Sequence, residues 1–190
     1  MKHRLSPTEK IESDKKPGFE NKYIKYAGEE LIPVAIFRQK TAVCLNPFKA
    51  LYHRLRRPRD KIMELHTHPD RPIPSILDLD CFLMDKKVGT MAIATRDPSS
   101  GKVFGYTFVR KTQKMLTGPA FKDSFNEYER TVDRIYKSRD EVGEAEAEKE
   151  ALRCFKDFIK KSKLQYRFVP VGGYSLSNEH ARYVKKSDKN

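Results

Sequence analysis

The chain has 190 residues, 38% of them hydrophobic, with 39 Lys+Arg against 26 Asp+Glu and a formal net charge of +13. That length suits one ordinary domain with a real core, and the lack of any apolar run of bilayer length argues against a membrane-spanning helix. Cys44, Cys81 and Cys154 form no C-x-x-C pair, which argues against a disulfide framework or a cysteine-rich zinc knuckle and suits reduced core thiols.

Residues 1–17 are polar, charged and end in KKPG, so a flexible basic arm is expected there, with order beginning near Phe19. They lack the apolar centre of a secretory signal, and the expectation is a cytoplasmic protein. YIKYA, ELIPVAIFRQ and TAVCL are rich in β-formers and suit a strand meander, with Pro33 at an edge or a bulge. NPFKALYHRLRR then places Phe48, Leu51, Tyr52 and Leu55 on one helical face, behind Asn46 as cap and Pro47 at the first helical position. The densest basic block, Lys49 to Lys61, fits either a solvated helix face or a nucleic-acid surface.

KIMELH reads as a strand that delivers His66 and His68 to its carboxyl end. Side chains alternate along a strand, so both histidines share one face with Glu64. Pro69, Pro72 and Pro74 stiffen the connection that follows. Ser75 is placed as the N-cap of a helix, with Asp78 as the carboxylate of a capping box before Leu79, Phe82 and Leu83. TMAIATRDPSSGKVFGYTFVRK is a hairpin around a DPSSG turn. Residues 119–163 carry apolar residues at three- and four-residue steps and predict two amphipathic helices interrupted near Gly143. YRFVPVGGYSL suits a final strand, and the basic KKSDKN end is expected to fray.

The chemistry concentrates in HTHPDRPIPSILD. Two imidazoles on one side of a strand end, a stiff return, and a carboxylate in the first turn of a helix make a His66, His68, Asp78 ligand set that leaves one position open. Three protein ligands of this kind are the catalytic zinc pattern rather than the closed structural one. Taken singly, each residue is as well read as a polar surface group or a helix-terminal carboxylate.

The same stretch resembles the signature of the JAMM (JAB/MPN) metalloproteases: a distant glutamate, then H-[ST]-H-P, a spacer, and S-x-x-D. The resemblance covers about residues 19–112. It implies an α/β, MPN/JAB-like (cytidine-deaminase-like) mixed sheet flanked by helices, with a zinc isopeptidase acting on a ubiquitin-like protein or its conjugate. It further implies Zn2+ on His66, His68 and Asp78, with Ser75 assisting the oxyanion. Nine residues separate His68 from Asp78 where the family's usual spacer has ten, and Asp80 would give eleven; the S-x-x-D spacing selects Asp78. The family's general base lies a few dozen residues upstream, which points to Glu20, with Glu30 (Glu29 behind it) as the alternative. Glu64 is either an acceptor for an imidazole N–H or a sheet-face carboxylate paired with a base.

HTHPD also reads as H-x-H-x-D, the opening of a metallo-β-lactamase-type site, but Arg71 stands where that site needs a histidine. An amidohydrolase barrel needs more than 190 residues. The competing reading from another class is a catalytically silent MPN-fold scaffold or nucleic-acid-binding protein that uses the basic 49–61 helix. The expected organisation is an arm (1–17), a JAB/MPN-like domain (18–118), a helical appendage (119–163) and a final strand with a basic tail (164–190).

Overall fold

The computed structural model describes residues 6–13, 19–26, 30–38, 43–45, 48, 51, 52, 55, 62–69, 71–177 and 181–186, with the backbone alone at 35–38 and 43–45. Along the chain these residues form α1 (Pro7–Glu12), β1 (Lys22–Lys25), β2 (Ile32–Pro33), β3 (Ala35–Arg38), β4 (Val43–Leu45), β5 (Ile62–Pro69) and α2 (Ile76–Met84). There follow β6 (Val88–Arg96), β7 (Val103–Arg110), α3 (Gly118–Lys137), α4 (Arg139–Val142), α5 (Glu144–Lys161), β8 (Gln165–Pro170), β9 (Tyr174–Ser177) and β10 (Arg182–Lys185). None of the described helices is long and apolar enough to cross a membrane.

Six strands make a mixed sheet in the order β2-β1-β5-β6-β7-β8, while β3–β4 and β9–β10 are separate hairpins. Within the sheet β5 and β6 pair in parallel and the other neighbours antiparallel. Pro33 lies in β2 at the sheet edge, where a missing N–H costs no ladder bond. Strand β5 is longer than KIMELH, running on through His68 to Pro69, because β6 pairs with it along that whole length.

Side-chain alternation sends the two faces of the sheet to different cores. Ile24, Met91 and Val109 pack with Leu79 and Phe82 of α2, Tyr128 and Val132 of α3, and Leu152, Phe155 and Phe158 of α5. The 119–163 segment is therefore not an appendage: its helices cover one face of the sheet and share its core. The reason is packing: β7 and β8 are antiparallel neighbours whose connection leaves and returns at one end of the sheet, and α3 and α5 lie over its face because their apolar sides are buried there. The interruption near Gly143 is real, and that residue has φ of 87°, a conformation that glycine adopts without strain.

Tyr23, Leu65, Ala92, Ala94 and Tyr106 point to the other face and pack against Ile11 of α1. Where the sequence suggests a flexible arm, Pro7–Glu12 is a helix, entered through a capping box of Ser6 and Glu9 and held by a fully buried Ile11. One further expectation is corrected: Cys81 is exposed rather than a core thiol, while the Cys44 side chain lies outside the described residues. Arg182–Lys185 adds a strand, β10, that the sequence reading does not include, and its Tyr183 lies against Gly105 so closely that a Cβ there would meet the ring at 2.3 Å; of the KKSDKN end expected to fray, residues 187–190 lie outside the described residues.

Candidate metal centre

Parallel strands need a crossover, so β5 must hand the chain to a helix before β6 can begin. That crossover helix is α2, and its first turn returns to the carboxyl end of β5, where α/β sheets gather their ligands. Asp78, the third residue of α2, is thereby turned onto His66 and His68. His66 Nε2 lies 3.3 Å from Asp78 Oδ1, and His68 Nε2 lies 3.3 Å from Asp78 Oδ2. The two rings are 4.7 Å apart at an interplanar angle of 61°. One ligand atom from each of the three residues lies within 4.8 Å of the others. Asp80, the other aspartate considered, is exposed.

The donor set fits a metal ion on a physical test. Both histidines are buried, and His66 Nε2, although 3.3 Å from Asp78 Oδ1, makes no hydrogen bond. A buried polar atom left so costs about 1–3 kcal/mol, and a cation taking the lone pair of that nitrogen would remove the cost. Burial pushes the His66 imidazole below its ordinary 6.5, which keeps the lone pair available. Burial alone would raise Asp78, but the facing His66 and His68 nitrogens hold it well below the usual carboxylate range. Two imidazoles and one carboxylate suit zinc better than the all-oxygen shells of calcium or magnesium.

The loop between strand and helix is pinned from below and from the side. The Thr95 hydroxyl donates to the Arg71 carbonyl at 3.1 Å, and the Thr107 hydroxyl donates to the Pro72 carbonyl. Both threonines are fully buried. The Arg71 guanidinium reaches Glu148 at 3.5 Å and lies 5.8 Å from the Tyr136 ring centre, which ties the loop to α5 and α3. At its end the expected capping box is complete: Asp78 N–H donates to Ser75 Oγ at 3.1 Å, and Asp78 Oδ2 accepts from Ser75 N–H at 3.0 Å and from Ser75 Oγ at 2.6 Å. Ser75 thus orients the carboxylate that faces the histidines.

Glu20 arrives at the same place from the segment just ahead of β1. Lys22 stands opposite His66 in the ladder, so Glu20, two residues earlier, is on the helix-facing side beside His68. Its Oε1 is 3.8 Å from His68 Nε2. Burial raises its pKa, partly countered by His68 and reinforced by Asp78, which makes the carboxylate a better base. Its neighbours are fixed on both sides. The buried Arg96 guanidinium donates to the carbonyls of Phe19 and Ile11, while Asn21 N–H donates to Thr67 Oγ1 at 2.8 Å and its carbonyl accepts from Thr67 N–H at 2.9 Å.

The other candidates stand elsewhere. Glu64 is paired with Lys22 at 2.9 Å. Glu30 is exposed and lies 3.9 Å from Lys10 of α1, on the sheet face opposite the histidines. Arg96, Asn21, Thr95 and Thr107 are the residues the sequence reading missed; the one signal was four polar residues inside or beside strands whose neighbours are apolar. Most of the basic 49–61 segment lies outside the described residues, but Phe48, Leu51, Tyr52 and Leu55 are helical and all exposed. Compared with known proteins, the chain matches no family model, no curated protein and no solved structure.

Proposed function

We propose that the chain is a zinc-dependent peptidase or isopeptidase of the JAMM (JAB/MPN) type, acting at the C-terminus of a ubiquitin-like protein. The observation that carries the reading is the convergence of His66, His68 and Asp78 within 4.8 Å, with Glu20 beside His68. Glutamate, H-T-H-P and S-x-x-D meet at one point from three separate elements, in the order of the motif that HTHPDRPIPSILD resembles. In that reading the six-stranded mixed sheet with its helices is an MPN-type fold.

Bound to these three ligands, zinc supplies Lewis acidity toward a scissile carbonyl and toward water. Glu20, desolvated and raised in pKa, takes the proton of the attacking water and returns it to the leaving amine. Ser75 keeps Asp78 in place through its N–H, and its hydroxyl, released from Asp78, donates to the developing oxyanion. The chain's own burial of both imidazoles keeps bulk water from their ring nitrogens.

The test incubates the full chain with ubiquitin-like conjugates, with and without a chelator. Glu20→Gln should keep zinc and lose cleavage by roughly 10²–10⁴-fold, while Glu30→Gln should cleave normally. Normal cleavage by Glu20→Gln would falsify the base assignment, and chelator-insensitive cleavage would remove the metal from the reaction.

A further inference from the structure

The sheet face away from the histidines is covered unequally. Six-residue α1 lies over one part of it, and beside α1 remains a groove of about 510 Å³ on the outer faces of β1, β5, β6 and β7. That volume is within the range of roughly 300–1,000 Å³ usual for small-molecule sites. Gly89 and Thr90 keep its floor low, Met63 and Leu65 line it from β5, and Phe108 lines it from β7. Thr8 closes the α1 side by its 2.8 Å hydrogen bond to the Tyr106 hydroxyl.

The electrostatics of the groove are one-sided. Among the described residues, Lys25 of β1 is its one cationic lining residue, no lining residue is a carboxylate, and Lys25 has no ion-pair partner. The nearby acids are engaged elsewhere. Glu9 closes the α1 capping box, Glu12 accepts from Val103 N–H at 2.9 Å, and Glu30 lies against Lys10. Lys25 faces Met63 in the ladder, Met63 faces Thr90, and Thr90 faces the exposed Arg110, which does not line the groove; Phe108, two residues before Arg110 on the same face of β7, does. Three strand spacings separate β1 from β7, roughly 14 Å. The groove therefore has a positive end and an apolar, aromatic end at a separation that matches an extended alkyl chain with a charged head.

We propose that this groove binds an amphipathic carboxylate, a free single-chain fatty acid of about ten carbons, with the head on Lys25 and the tail toward Phe108. The site is independent of the metal reading, because Met63 and Leu65 alternate with His66 and His68 along β5 and point to the other face. A ligand there presses on the backs of β1, which Glu20 precedes by two residues, and β5, which carries the histidines.

The test is isothermal titration of the full chain with octanoate, decanoate and dodecanoate, each below its micelle-forming concentration. One ligand per chain is expected, with affinity rising about three- to fourfold per added methylene and decanol at least tenfold weaker than decanoate. Lys25→Glu should lose decanoate and gain decylamine, a swap that an unfolded variant cannot produce. His66→Ala should bind decanoate as the parent does, so failure of the metal site and failure of this one are separable. No heat with any of the three acids, equal binding of decanol and decanoate, or an unchanged Lys25→Glu would each overturn the proposal. So would a concentration-dependent dimer that excludes decanoate, since the face would then belong to a second copy.

Discussion

Asp78 holds two positions at once, as the capping carboxylate of α2 and as the group facing both imidazoles, and Asp78→Asn separates them. The amide keeps an oxygen that can accept from Ser75 N–H, now bonded at 3.0 Å, so most of the cap survives. A full cap is worth about 0.5–2 kcal/mol, and the metal-free variant should lose part of that together with the stabilisation of the carboxylate by the facing imidazole nitrogens, at roughly 2–4 °C per kcal/mol in a chain of this length. The metal-dependent term is different. At a free zinc concentration about 100 times the dissociation constant, the parent gains about 2.7 kcal/mol, a rise of roughly 5–11 °C in Tm. Asparagine removes the one anionic ligand and leaves two neutral imidazoles, so that rise should vanish. The assay is calorimetry of both proteins in chelator and in zinc, with metal content measured on the same samples. An equal zinc-induced rise in parent and variant would refute the reasoning, as would a folded parent whose Tm zinc does not move.

His66 gives a pH prediction with a definite sign. Its pKa is lowered on folding by burial from 6.5, so below that pH the unfolded chain binds more protons and stability falls as pH falls. The contribution is fully present above about 6.5, has a limiting slope of about 1.36 kcal/mol per pH unit, and should flatten in His66→Gln when urea midpoints of the metal-free proteins are compared across that window. Thr107→Val tests the loop anchor. It leaves the Pro72 carbonyl without its hydroxyl donor at a cost of about 1–3 kcal/mol, and should weaken zinc by roughly tenfold or more while circular dichroism stays parental. Unchanged zinc affinity would mean that the prolines alone fix the return.

The parts of the site legible in the sequence are those in which spacing maps directly onto geometry. A two-residue step along a strand puts His66 and His68 on one face, and a three-residue step at a helix start puts Asp78 against Ser75; neither depends on the rest of the molecule. Tyr128, Val132, Phe155 and Phe158 were legible as helix faces for the same reason. What they cover was not, because their partners in the core, Ile24, Met91 and Val109 among them, come from strands distant in sequence. The short α1 was hidden by composition: Ile11 alone anchors it among charged neighbours, too little for a periodic signal. Asn21 and Arg96 were unreadable because a polar residue in a strand declares neither its burial nor its partner.

Those buried polar residues bear on why the site is placed as it is. Arg96 has no exposed surface, and its guanidinium spends hydrogen bonds on the carbonyls of Ile11 and Phe19. Burying a cation costs several kcal/mol that hydrogen bonds only partly offset, and an apolar side chain of similar volume often gives an equally stable core. What an apolar residue cannot do is fix the position of a carbonyl one residue before Glu20. On the other side the backbone N–H and carbonyl of residue 21 hold the chain to Thr67, the residue between the two histidines, while the buried Asn21 amide fixes the turn into β1 by accepting from Lys22 N–H at 2.9 Å and donating to the Tyr23 hydroxyl at 2.8 Å. The polar groups thus converge on the relative placement of Glu20 and His68; under the proposed function, a shift of about 1 Å there would matter to proton transfer and little to folding. Stability alone gives no reason to bury an arginine and an asparagine on either side of one glutamate; the proposed role of that glutamate beside the imidazoles does.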